Sequence, residues 1–184
     1  SSAASDVYKR QIQYGLSGGS ATTVYPESDF SNSSIISGGS LIEVPYQPSV
    51  TITDLKQKDG SIGKVSIDRV SLSCKVYEGA TDSSMSKGAG HYTSSGIYTG
   101  NIGLFGHNRG SHAYFAKLKN VKIGDIVEYK TAIGTKTYQV TFVGSISCTD
   151  YSYLNEMGDN RITLITCIAN QPSLRLCVQA VEIR

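Results

Sequence analysis

Cys167, His107 and Arg175 are the residues through which this 184-residue sequence could do covalent chemistry. Cys167 ends the run Ile162-Thr163-Leu164-Ile165-Thr166, and an irregular polar stretch over residues 169–173 follows it. His107 ends an apolar run that begins at Ile102, and it stands between Gly106 and Asn108. Strand ends are where a rigid scaffold fixes the backbone while loops admit a substrate. Arg175 opens the last apolar run; by period 2 it shares a face with Cys177, while Leu176 and Val178 share the other. A thiolate, an imidazole and a guanidinium together support acyl transfer. The thiolate attacks a carbonyl, the imidazole carries a proton to the leaving amine, and the guanidinium holds the oxyanion or the substrate backbone. Spacing alone leaves this open, because Cys and His partners meet in space and not along the chain. Each residue also has a plainer reading. His91 and His112 sit in turn-like surroundings where a ring satisfies local hydrogen bonds, and Arg175 could be a surface charge.

The remaining composition narrows the class. The four cysteines, Cys74, Cys148, Cys167 and Cys177, form no CxxC pair, so a zinc ribbon or a thioredoxin-type motif is absent. A chain of this length can bury a core without disulfides, and Cys74 and Cys177, in alternating apolar stretches, are expected as buried free thiols. Seventeen basic residues against fifteen acidic ones leave a net charge of +2, with no basic stripe for nucleic acid. No apolar run is long enough to span a bilayer. A charged fraction of 17% beside 39% hydrophobic residues is far from a disordered profile.

Those three residues need a scaffold, and the chain reads as a polar leader followed by one β domain. Residues 1–40 are rich in Ser and Gly and read as a flexible tether; residues 41–184 read as the catalytic domain. The string Asp6-Val7-Tyr8-Lys9-Arg10-Gln11 looks like the translation of a transposon end from a sequencing library, which would make residues 1–11 non-native. Strands are expected at residues 41–44, 63–67, 72–76, 102–107, 126–130, 136–143, 162–167 and 176–183. The fifth and sixth flank Gly134 as a hairpin. Short helices are expected over residues 82–87, capped by Thr81 or Asp82, and over 111–118. About eight short strands with few helices predict an all-β, closed eight-stranded barrel, which leaves no exposed edges.

The string Thr163-Leu164-Ile165-Thr166-Cys167 resembles the TLxTC signature of the sortase transpeptidases. Further segments agree in order. Gly106-His107-Asn108 resembles the motif around the family's catalytic His, and Asn120-Val121-Lys122-Ile123-Gly124 resembles the segment after it. Val76-Tyr77-Glu78-Gly79 with Lys87-Gly88-Ala89-Gly90-His91-Tyr92 resembles the family's VYEG…GxGHY stretch. Arg175 falls where the family places its essential Arg. The similarity runs from about residue 60 to 184.

The resemblance implies a sortase-type barrel and a set of roles. Cys167 would form a thioacyl intermediate with a Thr of an LPXTG-like sorting signal. His107 would serve as general acid for the leaving amine and then as general base for the incoming one. Arg175 would hold the substrate or the oxyanion. The specificity loop would follow the strand ending near Ile146, and matched positions make Ile146, Thr149, Tyr151, Leu154 and Ile165 candidates to touch the peptide. The implied partners are sorting-signal peptides of surface proteins and a cell-wall precursor amine, at the outer face of a Gram-positive-type membrane, with an N-terminal anchor that this chain lacks. No cofactor is expected. No calcium site is expected either, since the stretch Thr93-Ser94-Ser95-Gly96-Ile97-Tyr98-Thr99-Gly100-Asn101 supplies no carboxylate to join Glu156. Ser28-Asp29-Phe30 is the one faint counterpart of the plug found in the lids of pilin-type sortases, so a compact enzyme close to class D is expected. Two alternatives stand beside a cell-wall transpeptidase: a pilin-polymerising sortase with a Lys acceptor, and an inactive barrel that binds peptides.

Overall fold

The computed structural model of the protein describes residues 49–183. The expected leader, the strand at residues 41–44 and Ser28-Asp29-Phe30 lie outside the described residues. Eight strands close into one barrel: β1 (Ser61–Ile67), β2 (Leu72–Glu78), β3 (Ala89–His91), β4 (Asn101–Phe105), β5 (Ile126–Thr131), β6 (Gly134–Ser147), β7 (Arg161–Ile168) and β8 (Gln171–Glu182). Their order around the barrel is β1-β2-β3-β4-β7-β8-β6-β5. Two single-turn helices, α1 (Ile52–Leu55) and α2 (Asp82–Met85), and three 3-10 turns complete the described elements.

Alternation explains most of the barrel. In β2, Leu72, Cys74 and Val76 point inward while Ser73 and Lys75 are exposed. In β5, Val127 and Tyr129 point inward and Glu128 and Lys130 outward. These inward residues meet Ile102, Leu104, Ile162, Leu164, Val178 and their neighbours in one interior cluster. Two strands break the rule in a useful way. β4 and β7 run parallel, with Phe105 beside Ile165, and both are buried on their two faces. That is why they read as mostly apolar runs without alternation. Their second face is covered from outside by the connection between β6 and β7, and this outer layer builds the site.

Strand β3 was not expected. It has three residues, no β-branched side chain and no alternation, so no periodicity could mark it. It pairs parallel to β2 and antiparallel to β4. The approach is close: a Cβ at Gly88 would stand 2.1 Å from the Lys75 carbonyl oxygen, and one at Gly90 would stand 2.5 Å from that of Gly79. The glycines of the GxGHY stretch therefore permit backbone contact. The helix expected over residues 111–118 is instead a series of turns and a 3-10 segment, Ala116–Asn120; Phe115 and Leu118 are nevertheless buried. The helix at Asp82 spans only Asp82–Met85, and the Thr81 hydroxyl caps it by accepting from the Ser84 N–H. The last strand begins at Gln171, five residues earlier than expected, so Arg175 lies within it.

One ion pair braces the turn between β1 and β2 against the segment entering β5. The Asp125 carboxylate accepts from Nε and Nη2 of Arg69 and from the Lys122 N–H, and Arg69 also donates to the Asn120 carbonyl. The Arg69 hydrogen bonds hold the Asp125 carboxyl below its ordinary value of 3.8. A lowered folded value means that protonation opposes the fold. Its contribution is complete above that ordinary value and is lost as the pH falls below it. Asp125→Asn is expected to flatten the acid limb of the stability-versus-pH curve in this range, measured by denaturant melts at successive pH values.

Candidate active site

The ends of β4 and β7 are stitched together. Gly106 N donates to the Ile165 carbonyl at 3.2 Å, and the Thr166 hydroxyl donates to the Gly106 carbonyl at 2.7 Å. The Asn108 amide donates to the Cys167 carbonyl at 2.6 Å. His107 thus follows one bonded residue and Cys167 follows another, on neighbouring strands. Gly106 has its own requirement, since a Cβ there would stand 2.6 Å from the Phe115 ring. That ring is drawn over the strand end by the bond from Phe115 N to the His107 carbonyl, 2.9 Å.

Across β7 and β8, Cys167 is the register partner of Arg175. Side chains on directly opposed residues stand roughly 5 Å apart at their Cβ atoms. The ladder is irregular just beyond this pair: Ile168 pairs with Gln171, and residues 172–174 have no partner on β7. Bulges of this kind bend a strand and re-aim side chains beside sites. Arg175, 8% exposed as a residue, braces the bulge by donating from Nη1 to the carbonyls of Pro172 and Leu174. Nε and Nη2 of Arg175 carry no hydrogen bond among the described residues.

His107, Cys167 and Arg175 line one cleft of about 520 Å³, with Asn108, Arg109 and residues 168–172 completing the wall. The three also share a small hollow with Phe105, Ile165 and Thr166. Phe105 and Ile165 of that hollow belong to an apolar floor on the outer face of the barrel: Ala80, Met85, Tyr92, Phe105, Ile146, Leu154, Ile165 and Cys177 form one cluster, with Phe142, Tyr151 and Tyr153 packed against it. Four of the five residues expected to touch a peptide, Ile146, Tyr151, Leu154 and Ile165, therefore meet in one layer. Thr149 does not: it is exposed, and its hydroxyl lies 3.0 Å from that of Ser147. Asn108, Thr166 and Phe105 belong to this region without having been singled out. Asn108 and Thr166 directly follow His107 and precede Cys167, and adjacency was their one available signal.

The other titratable candidates fall elsewhere. His91 is fully buried, with Nδ1 at 3.0 Å from the Glu78 carboxylate and Nε2 at 2.7 Å from the Gly96 carbonyl, so its ring serves local bonding. His112 is exposed. All four cysteines are free thiols. Burial pushes Cys74 and Cys177 up to about 12, which makes both poor nucleophiles. Cys148 and Cys167 are half-buried, and Cys167 alone lines the cleft. Among the described residues no three His, Cys, Asp or Glu side chains converge to hold a metal ion. No helix among them is long and apolar enough to cross a membrane.

Comparison with known proteins gives this arrangement its family. The Sortase domain family profile matches residues 65–183. Sortase A of Bacillus anthracis is 29% identical over 132 residues, which cover 71% of this chain and 62% of that protein. Sortase A of Listeria monocytogenes serovar 1/2a (strain ATCC BAA-679 / EGD-e) is 30% identical over 112 residues, covering 60% of this chain and 50% of that protein. The matched stretch is thus less than two thirds of either relative's length. Among solved structures, sortase C2 of the Group B Streptococcus pilus island 1 aligns with a TM-score of 0.65 at 26% identity, covering 70% of this chain and 77% of that one. Sortase C-1 of Streptococcus pneumoniae aligns at 0.66 and 25% identity, covering 70% and 69%. A closed eight-stranded barrel carrying Cys, His and Arg on one cleft, together with a profile that matches well over half of the sequence, establishes that the chain belongs to the sortase family.

Proposed function

We propose that this sortase is a cysteine transpeptidase that cleaves an LPXTG-like sorting signal and transfers the upstream protein to an amine. The reading rests on one observation: His107, Cys167 and Arg175 line a single cleft and share a hollow with Phe105 and Ile165 of the apolar floor. The Cys167 thiolate attacks the carbonyl carbon of the signal's Thr, the amide C–N bond breaks, and His107 gives its proton to the leaving amine. The thioester that remains is attacked by an incoming amine, His107 takes the proton back, and the thiolate leaves. The net change is the exchange of one amide for another, and no redox partner is needed. Arg175 lies beside the developing oxyanion and offers the donors not spent on the bulge. Tyr151 and Leu154 bury the signal's apolar side chain, a contact typically worth about 1.5–3 kcal/mol when complete. Water in place of the amine gives hydrolysis as a side reaction.

The acceptor divides two readings. A cell-wall precursor amine at the outer face of a Gram-positive-type membrane is the first. A pilin Lys side chain is the second, favoured by the likeness to streptococcal pilus-island sortases. Incubating the protein with an LPXTG-like peptide and either a peptidoglycan-type amine or a pilin partner separates them by the mass of the new linkage. Absence of cleavage of any member of a peptide library would overturn both.

A further inference from the structure

The β6–β7 connection is fastened to the barrel by polar side chains that three strands bury beneath it. Asn101, fully buried at the start of β4, donates from its amide to the carbonyls of Tyr153 and Asn155, at 2.9 and 2.8 Å. Its own side-chain oxygen accepts from the Thr163 hydroxyl of β7 at 2.7 Å. Gln179 of β8, the register partner of Thr163, donates to the Tyr153 carbonyl at 2.8 Å and to Thr163 Oγ1 at 3.2 Å. From above, the Glu156 carboxylate accepts the Asn101 backbone N–H at 3.0 Å. Three buried polar side chains on an otherwise apolar face are costly unless each is bonded. Here every one is bonded, and the bonds converge on the carbonyls of Tyr153, in the 3-10 turn Ser152–Leu154, and of Asn155 just after it. A surface loop normally leaves such carbonyls to water. The fastening presses Leu154 and Tyr153 onto the floor made by Ile146, Ile165 and Cys177.

We propose that Asn101, Thr163, Gln179 and Glu156 are positioning residues that hold the β6–β7 connection in the one register that presents Tyr151 and Leu154 to the peptide, and that they thereby set specificity for its apolar side chain. The inference rests on the peptide-transpeptidase reading. Without the clamp, the connection is free to lift, and the pocket for the apolar side chain is lost while Cys167, His107 and Arg175, in a cleft that no clamp residue lines, keep their places.

Two measurements on Asn101→Ala, Gln179→Leu, Glu156→Ala and Glu156→Gln test this. Amide hydrogen exchange over residues 150–157 should speed up by on the order of tenfold in the first three variants, with the β5–β6 hairpin unchanged and Glu156→Gln restoring protection. For peptides with and without the apolar side chain, KM for the apolar one should rise by about tenfold while kcat stays within about threefold, so that the preference between them collapses. Unchanged exchange over residues 150–157, or a fall in kcat at constant KM, would overturn the proposal. Should Asn101→Ala fail to fold, Glu156→Ala, on the exposed side of the clamp, carries the same comparison. If wild type cleaves neither peptide, the transpeptidase reading fails, and the exchange experiment still decides whether these side chains hold the connection.

Discussion

Cys167→Ala is expected to reduce cleavage of an LPXTG-like peptide by at least about a thousandfold, the scale seen when a covalent nucleophile is removed. None of the three remaining thiols can substitute. Cys74 faces the barrel interior, and Cys177 lies under the apolar floor; burial pushes both up to about 12. Cys148 lies past Ile146 at the end of β6, outside the cleft that holds His107. The substitution removes a single half-buried sulfur, so the melting transition should move little, by less than about 1 kcal/mol. Discontinuous cleavage assays beside thermal melts check both halves. Cleavage at the wild-type rate in a folded Cys167→Ala variant would contradict the assigned role.

His107→Ala carries the second large effect, a fall of about a hundredfold to ten-thousandfold in turnover, as for loss of a general acid–base group. Both half-reactions should suffer, since the leaving amine needs a proton and the incoming amine must lose one. Alkylation of Cys167 by a small neutral thiol reagent should persist, because the Cys167 carbonyl is held by the Asn108 amide rather than by the His107 ring. If alkylation and cleavage vanished together in a folded variant, His107 would be holding the site's shape and not moving protons.

The residues at strand ends were legible because the strands themselves were. Residues 162–167 and 102–107 are mostly apolar without alternation, and such runs mark strands buried on both faces. The structure has them as the parallel pair β4 and β7, with His107 two residues past the end of β4 and Cys167 one before the end of β7. The strand at Ala89–His91 was illegible because its pairing rests on close backbone approach at Gly88 and Gly90, and glycine leaves no hydrophobic period. The helix expected over residues 111–118 failed for a related reason. Phe115 and Leu118 have helical spacing, yet they are held by turns that tie Phe115 to the His107 carbonyl. Thr149 lies outside the layer that the other four peptide candidates share, exposed and bonded to Ser147, and nothing in a loop's sequence marks which side chains turn inward. Least visible were Asn101, Thr163 and Gln179. Each is a polar residue within an apolar strand, and the carbonyls they serve lie 10 to 54 residues away.

Cys167 is expected to become acylated during turnover. Mass spectrometry of the protein quenched during turnover of an LPXTG-like peptide, followed by digestion, reads this out. The expected adduct has the mass of the peptide up to its Thr, is borne by the fragment containing Cys167 and is removed by hydroxylamine. An adduct on another residue, or cleavage with no trapped thioester at any quench time, would contradict it.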